Sequence, residues 1–252
     1  MNTLKALKEK LIPKLNPKHA LKTRYNKDKQ EFLKQGGVIT HDYRILNDMQ
    51  EQAGSASGHY FHQDLLVASF IHNIAPERHI DIASRIDGFV AHVAAFRPIE
   101  VMDVRELDDS GHENIKFVKA DLMQATELTV PITDSISCLH AIEHFGLGRY
   151  GDPVDVNGHH RGFKNIINML RPAGRLYISF PIGKSNEVHF NAHRVFHPMD
   201  IFSWPGAKDS LELIRFDFVD DEGRLHKNIN LETSCPSVIH GCGIYTWMKK
   251  NG

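Results

Sequence analysis

Residues 79–88, HIDIASRIDG, decide the fold of this chain. They predict a short hydrophobic strand and a turn of small residues, and the apolar residues 89–96 that follow predict a helix. In a strand–turn–helix unit, the free backbone N–H groups and the positive end of the helix dipole face a common point. The stretch therefore predicts a binding site for a nucleoside-bearing ligand.

A second predicted strand, residues 98–103, ends in an acid. Asp103 follows Asp81 by 22 residues, close to the ~20-residue offset at which an acid reaches ribose hydroxyls. A carboxylate only accepts hydrogen bonds, and a ribose diol offers two donors. Asp103 is therefore our candidate ribose ligand.

The turn departs from the G-x-G-x-x-G pattern of dinucleotide sites. Ala83 and Arg85 stand where the first two glycines are expected, and only Gly88 remains. Because Arg85 would keep a pyrophosphate away from the backbone, the turn disfavours NAD and FAD and favours a nucleoside without phosphates. An ordinary buried strand and helix of an α/β domain remains the alternative.

Composition narrows the class of protein. The 252 residues suffice for one large α/β domain, or for a domain with an extension. The net charge of −1 gives no indication of a nucleic-acid partner. Three cysteines make no disulfide framework, and we see no signal peptide and no run of ~18 apolar residues. We therefore expect a cytoplasmic protein without a membrane span.

The N-terminal segment is basic. Residues 1–35 contain ten lysines or arginines and three acids, and Leu4 begins a helical spacing of apolar residues. Such a segment could contact an anionic membrane surface as a peripheral helix, or hold an anionic substrate. A helix with solvated lysines that packs on its own domain is the simpler interpretation. We predict an extension or lid over residues 1–58, with a helix over residues 40–52, and a main domain over residues 59–252.

Strands and helices alternate through the main domain. Further strands are predicted at residues 115–122, 135–139, 175–181, 211–219 and 243–249, and helices at residues 63–73 and 163–170. This order predicts a mostly parallel, doubly wound α/β sheet, with ligands at the carboxyl ends of its strands. Asp121 and Leu122, at the third strand end, could meet an adenine with a side chain and an apolar face.

Five motifs occur in a recognisable order. HIDIASRIDGF, IEVMDV, VKADLM, SISCLHAIEHF and NMLRPAGRLYISFPIG resemble the motifs of class I S-adenosylmethionine-dependent methyltransferases, over about residues 59–197. SGHYFHQDL, SRIDGFVAH, HAIEHFGLGRYGDP and FNAHRVF most resemble a bacterial methyltransferase-like family of largely unassigned acceptor, often encoded with surface-polysaccharide genes. The resemblance implies a Rossmann-like seven-stranded sheet and S-adenosylmethionine as cofactor.

The resemblance also implies a set of cofactor-binding residues. The turn would line the methionine and ribose, Asp103 would hold the ribose hydroxyls, and His140 would lie near the methionine end. The full set is Asp81, Ala83, Ser84, Arg85, Gly88, Asp103, Asp121, Leu122 and His140.

Histidines between residues 140 and 197 supply candidate catalytic groups. A hydroxyl acceptor is a weak nucleophile unless a base or a metal withdraws its proton. His144 suits a neutral-pH base, and Glu143 could orient it or share that role. His193 lies in a second cluster, and Arg194 could grip a phosphate or carboxylate. Tyr150 lies in a glycine-marked loop, residues 146–158, of the kind that shapes acceptor pockets.

His140, Glu143 and His144 also form an H-x-x-E-H motif. On a helix these side chains would share a face and could bind a divalent metal, as in a zinc hydrolase. The position also resembles a metal site of some ubiquinone-pathway methyltransferases, which would allow a Mg or Mn ion.

Together these features predict a methyltransferase acting on a small polar acceptor. A sugar, a nucleotide-linked sugar or a phosphoryl-bearing precursor of a capsule or other surface glycan is the expected acceptor, methylated on oxygen. A cofactor-free binding or scaffold subunit, favoured by Arg85 in the turn, is the main alternative, and the metal-dependent hydrolase is another. The oligomeric state stays open.

Overall fold

A computed structural model of the chain describes residues 17–124 and 130–251. The chain divides into two compact units between Ser55 and Ala56. The helical spacing that begins at Leu4 lies outside the described residues.

Within its described residues, 17–55, the first unit contains one long helix, α1 (Pro17–Lys34), and one turn of 3-10 helix, Asp48–Gln50. The helix predicted over residues 40–52 is wrong, because among these described residues only that single turn is helical. Asp42 is instead engaged by α1, since its carboxylate accepts hydrogen bonds from Tyr25 and, at 2.8 Å, from Lys29 Nζ. These long-range bonds hold the segment in a non-helical path.

The second unit is built on an eight-stranded sheet in the order β3-β2-β1-β4-β5-β10-β8-β9, with a separate hairpin, β6-β7. The strands are β1 (His79–Ile82), β2 (Ile99–Asp103), β3 (Ile115–Lys119), β4 (Thr133–Leu139), β5 (Leu170–Ile182), β6 (Glu187–His189), β7 (His193–Val195), β8 (Leu211–Val219), β9 (Leu225–His226) and β10 (Gly241–Lys249).

Helices lie between the strands. They are α2 (His59–Ile74), a π-helical turn (Ile86–Val90) that continues into α3 (Ala91–Ala94), a 3-10 turn (Ile142–His144), α4 (Gly158–Met169), a 3-10 turn (Asp200–Ser203) and α5 (Ala207–Ser210).

Strands β1 to β5 pair in parallel, and β10 runs antiparallel between β5 and β8. The predicted mostly parallel sheet is confirmed, and the two-residue strand β9 adds an eighth strand to the seven expected. Because neighbouring parallel strands end at the same edge, the carboxyl ends of β1, β2 and β4 lie side by side, with Asp81 in register with Val101 and Ser137.

Both faces of the sheet are covered by apolar side chains, as expected for parallel strands. Phe163 of α4 and Trp204 pack on one face. Val67 and Ile71 of α2 pack on the other, together with Phe89. The carboxyl edge between these layers is left for the site.

Candidate functional site

The turn after β1 is organised by a buried carboxylate. Asp81 is fully buried and accepts hydrogen bonds from the backbone N–H of Ser84 at 2.9 Å and from the hydroxyls of Ser84 and Ser137, both at 2.6 Å. Burial raises the pKa of Asp81 to about 6, against the opposing effect of these hydrogen bonds. Asp81 therefore shapes the turn from beneath.

Ala83 closes this turn without a glycine. Its backbone adopts a left-handed conformation, with φ of 56°, and its N–H donates to the carbonyl of Met102 at 2.9 Å. Ala83 and Ser84 then line a cavity of about 690 Å³ at the carboxyl edge of the sheet.

Arg85 lines the same cavity without closing it. Its guanidinium pairs with Asp87 at 2.9 Å, and its Cζ lies 5.1 Å from the ring centre of Tyr60. A Cβ at Gly88 would stand 2.7 Å from the carboxylate of Asp64 in α2, so a larger residue at this position would require the Asp64 side chain to move.

A narrow apolar slot adjoins the large cavity. The slot is lined by Leu122, Met123, Ala120 and Phe145, and by Asp121, whose carboxylate accepts the N–H of Met123 at 2.9 Å. Asp103, Arg105, His140, His144, Tyr150 and Ala83 border both spaces. The slot and the cavity are therefore one continuous crevice.

Asp103 lies where the two spaces meet. Arg105 binds its carboxylate with two guanidinium nitrogens, Nη2 at 2.6 Å and Nε at 3.0 Å, and with its backbone N–H at 2.8 Å. The Arg105 guanidinium carbon also lies 4.4 Å from the ring centre of Tyr150. Of the three strand-end acids, Asp103 and Asp121 face the crevice, whereas Asp81 lies under its floor.

The His140–His144 segment does not form the helix on which the H-x-x-E-H interpretation depends. His140 has a left-handed backbone, with φ of 49°, and only a 3-10 turn, Ile142–His144, follows in these described residues. His140 Nδ1 lies 2.9 Å from Glu143 Oε1, and His144 Nε2 lies 3.7 Å from the same oxygen. The motif therefore does not present three free ligand atoms from one helix face.

Burial and neighbouring groups adjust the acid–base behaviour of these histidines. Burial lowers the pKa of His144, which favours a neutral imidazole at pH 7. Burial opposes a charge on His140 as well, but Cys242 and Glu143 raise the pKa of His140 well above its ordinary value. Burial, together with the positive charges of His140 and His240, lowers the pKa of His59 to about 4.

His193 and Arg194 come from hairpin strand β7 and have different environments. His193 lines the cavity, and its ring centre lies 5.4 Å from that of His240. Arg194 is 4 % exposed and donates to the carbonyl oxygens of Phe145 at 2.7 Å and Glu143 at 3.3 Å. The guanidinium N–H groups of Arg194 are therefore used to bind the backbone of residues 143–145. Arg194 is badly placed to bind an acceptor anion, which is the role that the sequence had predicted for it.

Two other arginines take the place expected for Arg194. Arg105 and Arg149 both line the cavity, and Arg149 lies 5.2 Å from the ring centre of Tyr150. Sequence reasoning missed Arg105 and His240, which also line the cavity. Arg149 lies with Tyr150 in the glycine-marked loop, and that loop was the available signal for Arg149.

Comparison with known protein sequences assigns no function to the chain. Residues 99–203 match a family model described as "Caenorhabditis protein of unknown function, DUF268". No curated protein matches the chain in sequence.

Solved structures of the class I methyltransferase fold are similar to the chain. A 1,6-didemethyltoxoflavin-N1-methyltransferase from Burkholderia thailandensis, with bound 1,6-didemethyltoxoflavin and S-adenosylhomocysteine, matches with a TM-score of 0.54 at 12% identity, over 95% of this chain and 93% of that one. The N-methyltransferase NodS from Bradyrhizobium japonicum, in complex with S-adenosylhomocysteine, matches with a TM-score of 0.53 at 12% identity, over 84% and 94% of the two chains.

A cyclase shares the same architecture. The 4+2 cyclase SpnF matches with a TM-score of 0.56 at 12% identity, over 96% of this chain and 99% of that one. The chain thus has the class I methyltransferase fold, and its activity has to be argued from its own site.

Proposed function

We propose that this protein is a cytoplasmic S-adenosylmethionine-dependent methyltransferase. The observation that carries the proposal is the continuous crevice at the carboxyl edge of the sheet, with an apolar slot on one side of Asp103 and the wide cavity on the other. Adenine would lie in the slot beside Asp121 and Leu122, ribose at Asp103, and the methionine part along Ala83, Ser84 and His140. This edge is where open α/β sheets bind ligands.

The cavity residues suit transfer to a hydroxyl group. The acceptor oxygen would form a bond to the methyl carbon while the carbon–sulfur bond breaks and its electron pair stays on sulfur, so alignment supplies much of the rate. His144 Nδ1 bonds to the carbonyl of Ala192 at 2.6 Å, which leaves Nε2 as the acceptor for the hydroxyl proton. Glu143, 3.7 Å from that nitrogen, would stabilise the imidazolium.

Arg149 is the residue that we propose binds an anionic acceptor. The cavity is lined by three arginines, Arg85, Arg105 and Arg149, by four acids, Asp87, Asp103, Glu106 and Glu143, and by two tyrosines, Tyr60 and Tyr150. Arg85 and Arg105 are already paired with Asp87 and Asp103. Guanidinium groups bind phosphate and carboxylate in a bidentate manner, and aromatic faces pack on sugar or base rings. The acceptor we propose is a phosphoryl-bearing sugar, such as a nucleotide-linked precursor of a capsule or surface glycan, methylated on oxygen.

Calorimetry with S-adenosylhomocysteine tests the cofactor site. We expect Asp103→Ala to weaken binding about 10- to 100-fold, because hydrogen bonds from the ribose diol to a charged acceptor are lost. Asp108→Ala, which replaces an exposed acid in the loop that follows β2, is the matched control and should bind as the wild type does. Failure of the wild type to bind at millimolar ligand would reject the proposal.

Methyl transfer from labelled S-adenosylmethionine to nucleotide-linked sugars tests the acceptor. Arg149→Leu should raise KM for a phosphorylated acceptor about tenfold or more, with S-adenosylhomocysteine affinity retained, because it removes a charge-assisted contact from the cavity wall. An unchanged KM would argue against an anionic acceptor bound at this wall.

A cofactor-free binding subunit is the second candidate. It is favoured by the Arg105 guanidinium, which already occupies both oxygens of Asp103. Under this alternative, phosphorylated sugars bind to the cavity, whereas S-adenosylhomocysteine does not, and Asp103→Ala leaves the sugar affinity unchanged.

A further inference from the structure

Three metal-ligating side chains from separate elements meet at the inner end of the cavity. His59 begins α2, His140 follows the end of β4, and Cys242 lies near the start of β10. One ring nitrogen of each histidine and the Sγ atom all lie within 4.8 Å of one another, the one such group of His, Cys, Asp and Glu found among the described residues. We infer that His59, His140 and Cys242 form a binding site for a divalent transition-metal ion, with Zn²⁺ as the best fit.

His140 supplies independent support for a ligand at this point. Its side chain is 7% exposed, and Nδ1 is engaged by Glu143 at 2.9 Å. The other nitrogen, Nε2, is buried and makes no hydrogen bond of ordinary geometry in the described ranges, and the thiol of Cys242 is its polar neighbour. A metal ion between the imidazole and the thiolate would give both groups a strong partner.

The neighbours of the three ligands resemble the outer shell of a metal site. Metal-binding histidines usually donate their second ring N–H to a carboxylate or a backbone carbonyl, which fixes the tautomer. Glu143 stands in that position for His140, and the backbone of His240 hydrogen-bonds to His59. The Cys242 thiol is buried and lies 3.6 Å from the amide oxygen of Gln63, so a polar group also adjoins the sulfur.

The donor set selects the class of metal. A thiolate and two imidazoles favour Zn²⁺ over Mg²⁺ or Mn²⁺, which prefer oxygen ligands. Ligand atoms around tetrahedral zinc stand about 3.3–3.8 Å apart, so small rotations of the side chains bring these three to coordination distance. The site shares only His140 with the H-x-x-E-H motif, and His59 and Cys242 take the place of Glu143 and His144 as ligands.

The position suggests what the metal would do. His59 and His140 line the cavity, whereas Cys242 is fully buried behind them, so a fourth coordination position would face the cavity. Three protein ligands and one open position are typical of catalytic rather than structural zinc. If the proposed methyl transfer is correct, an acceptor oxygen bound there would lose its proton more readily to His144. Only this last step rests on the proposed function.

Titration of the metal-free full chain with Co²⁺ tests the site directly. We expect one Co²⁺ per chain, with a thiolate-to-cobalt charge-transfer band in the near ultraviolet that Cys242→Ser abolishes. Competition with a chromogenic chelator should show Zn²⁺ affinity at least 100-fold lower in His59→Gln, and 10- to 100-fold lower in Glu143→Gln. Cys235→Ser, which removes an exposed free cysteine, is the matched control and should match the wild type.

Two results would overturn the site. One is wild-type protein that gives no charge-transfer band, and the other is His59→Gln that binds Zn²⁺ as tightly as the wild type. His59 is only partly buried at a helix start, so its variant remains informative if Cys242→Ser fails to fold. Binding of S-adenosylhomocysteine without the cobalt band would reject the metal site alone, and the band without cofactor binding would reject only the methyltransferase proposal.

Discussion

At the scale of single residues, the turn after β1 shows how an unusual sequence can keep an ordinary geometry. Ala83 adopts the left-handed conformation that glycine would normally supply. Its strain is offset by Asp81, whose carboxylate ties the turn to β4 through Ser84 and Ser137. Ala83 and Arg85, which stand in place of the expected glycines, therefore leave the crevice open.

His79, at the opposite end of β1, links stability to pH. Its imidazole is buried against the hydroxyls of Ser135 at 2.8 Å and Ser137 at 3.1 Å, and burial lowers its pKa from 6.5 to about 3. Below pH 6.5 the unfolded chain binds a proton at His79 that the folded protein does not bind. The free energy of unfolding therefore decreases as the pH is lowered. We expect a loss of about 2 kcal/mol between pH 6.5 and 4.5 from this residue.

Urea unfolding of His79→Gln across that pH range measures the effect. The variant cannot titrate, so its free energy of unfolding should fall less steeply with pH than that of the wild type. His112→Gln, at an exposed position, should keep the wild-type slope. Equal slopes in His79→Gln and the wild type would show that His79 does not carry this linkage.

At the scale of elements, α4 positions the wall of the apolar slot. A Cβ on Gly162 would stand 2.5 Å from Cδ2 of Phe145, and Phe145 lines the slot. The glycine in this helix is therefore explained by a close approach to an aromatic ring, because glycine is otherwise unfavourable in a helix interior.

Gly162→Ala should reverse the usual benefit of alanine in a helix. Helix propensity alone favours alanine by about 1 kcal/mol, but overpacking against Phe145 should produce a net loss of about 1–3 kcal/mol. Displacement of the ring should also weaken S-adenosylhomocysteine binding. Lys164→Ala, on the exposed face of α4, should change the free energy of unfolding by about 0.5 kcal/mol or less. A stabilised Gly162→Ala protein would contradict this account.

Elements also mark where sequence reasoning succeeded. The apolar runs at β1, β2 and β4 predicted their strands, because a buried parallel sheet needs continuous hydrophobic segments. The false helix at residues 40–52 has a helix-like pattern, but its path depends on the long-range bonds from Tyr25 and Lys29 to Asp42. Local periodicity carries no information about such partners.

At the scale of the whole molecule, the crevice belongs to the second of the two compact units. Its lining residues run from His59 to His240, all after the division at Ser55. In the described ranges, no helix is both long and apolar enough to span a membrane. A lid role and a peripheral membrane contact for the N-terminal segment stay predictions.

Removal of residues 1–55 tests whether the N-terminal segment takes part in binding. Because the lining residues lie in the second unit, we expect S-adenosylhomocysteine affinity within about a factor of two of the full chain. At 100 times Kd the ligand should stabilise both proteins by about 2.7 kcal/mol, measured as a shift in Tm. A much weaker affinity in the shortened protein would instead support the lid.

The sequence by itself determined the order of strands and helices, the parallel sheet and the strand-end acid Asp103, because these depend on local hydrophobic patterns and chain order. Only the tertiary structure decided that Asp81 is buried under the turn, that Arg194 supports the backbone, and that Arg105 holds Asp103. It alone brought His59, His140 and Cys242 together. Residues that are far apart in the sequence meet only when the sheet and its helices assemble, and no local sequence pattern encodes which of them become neighbours.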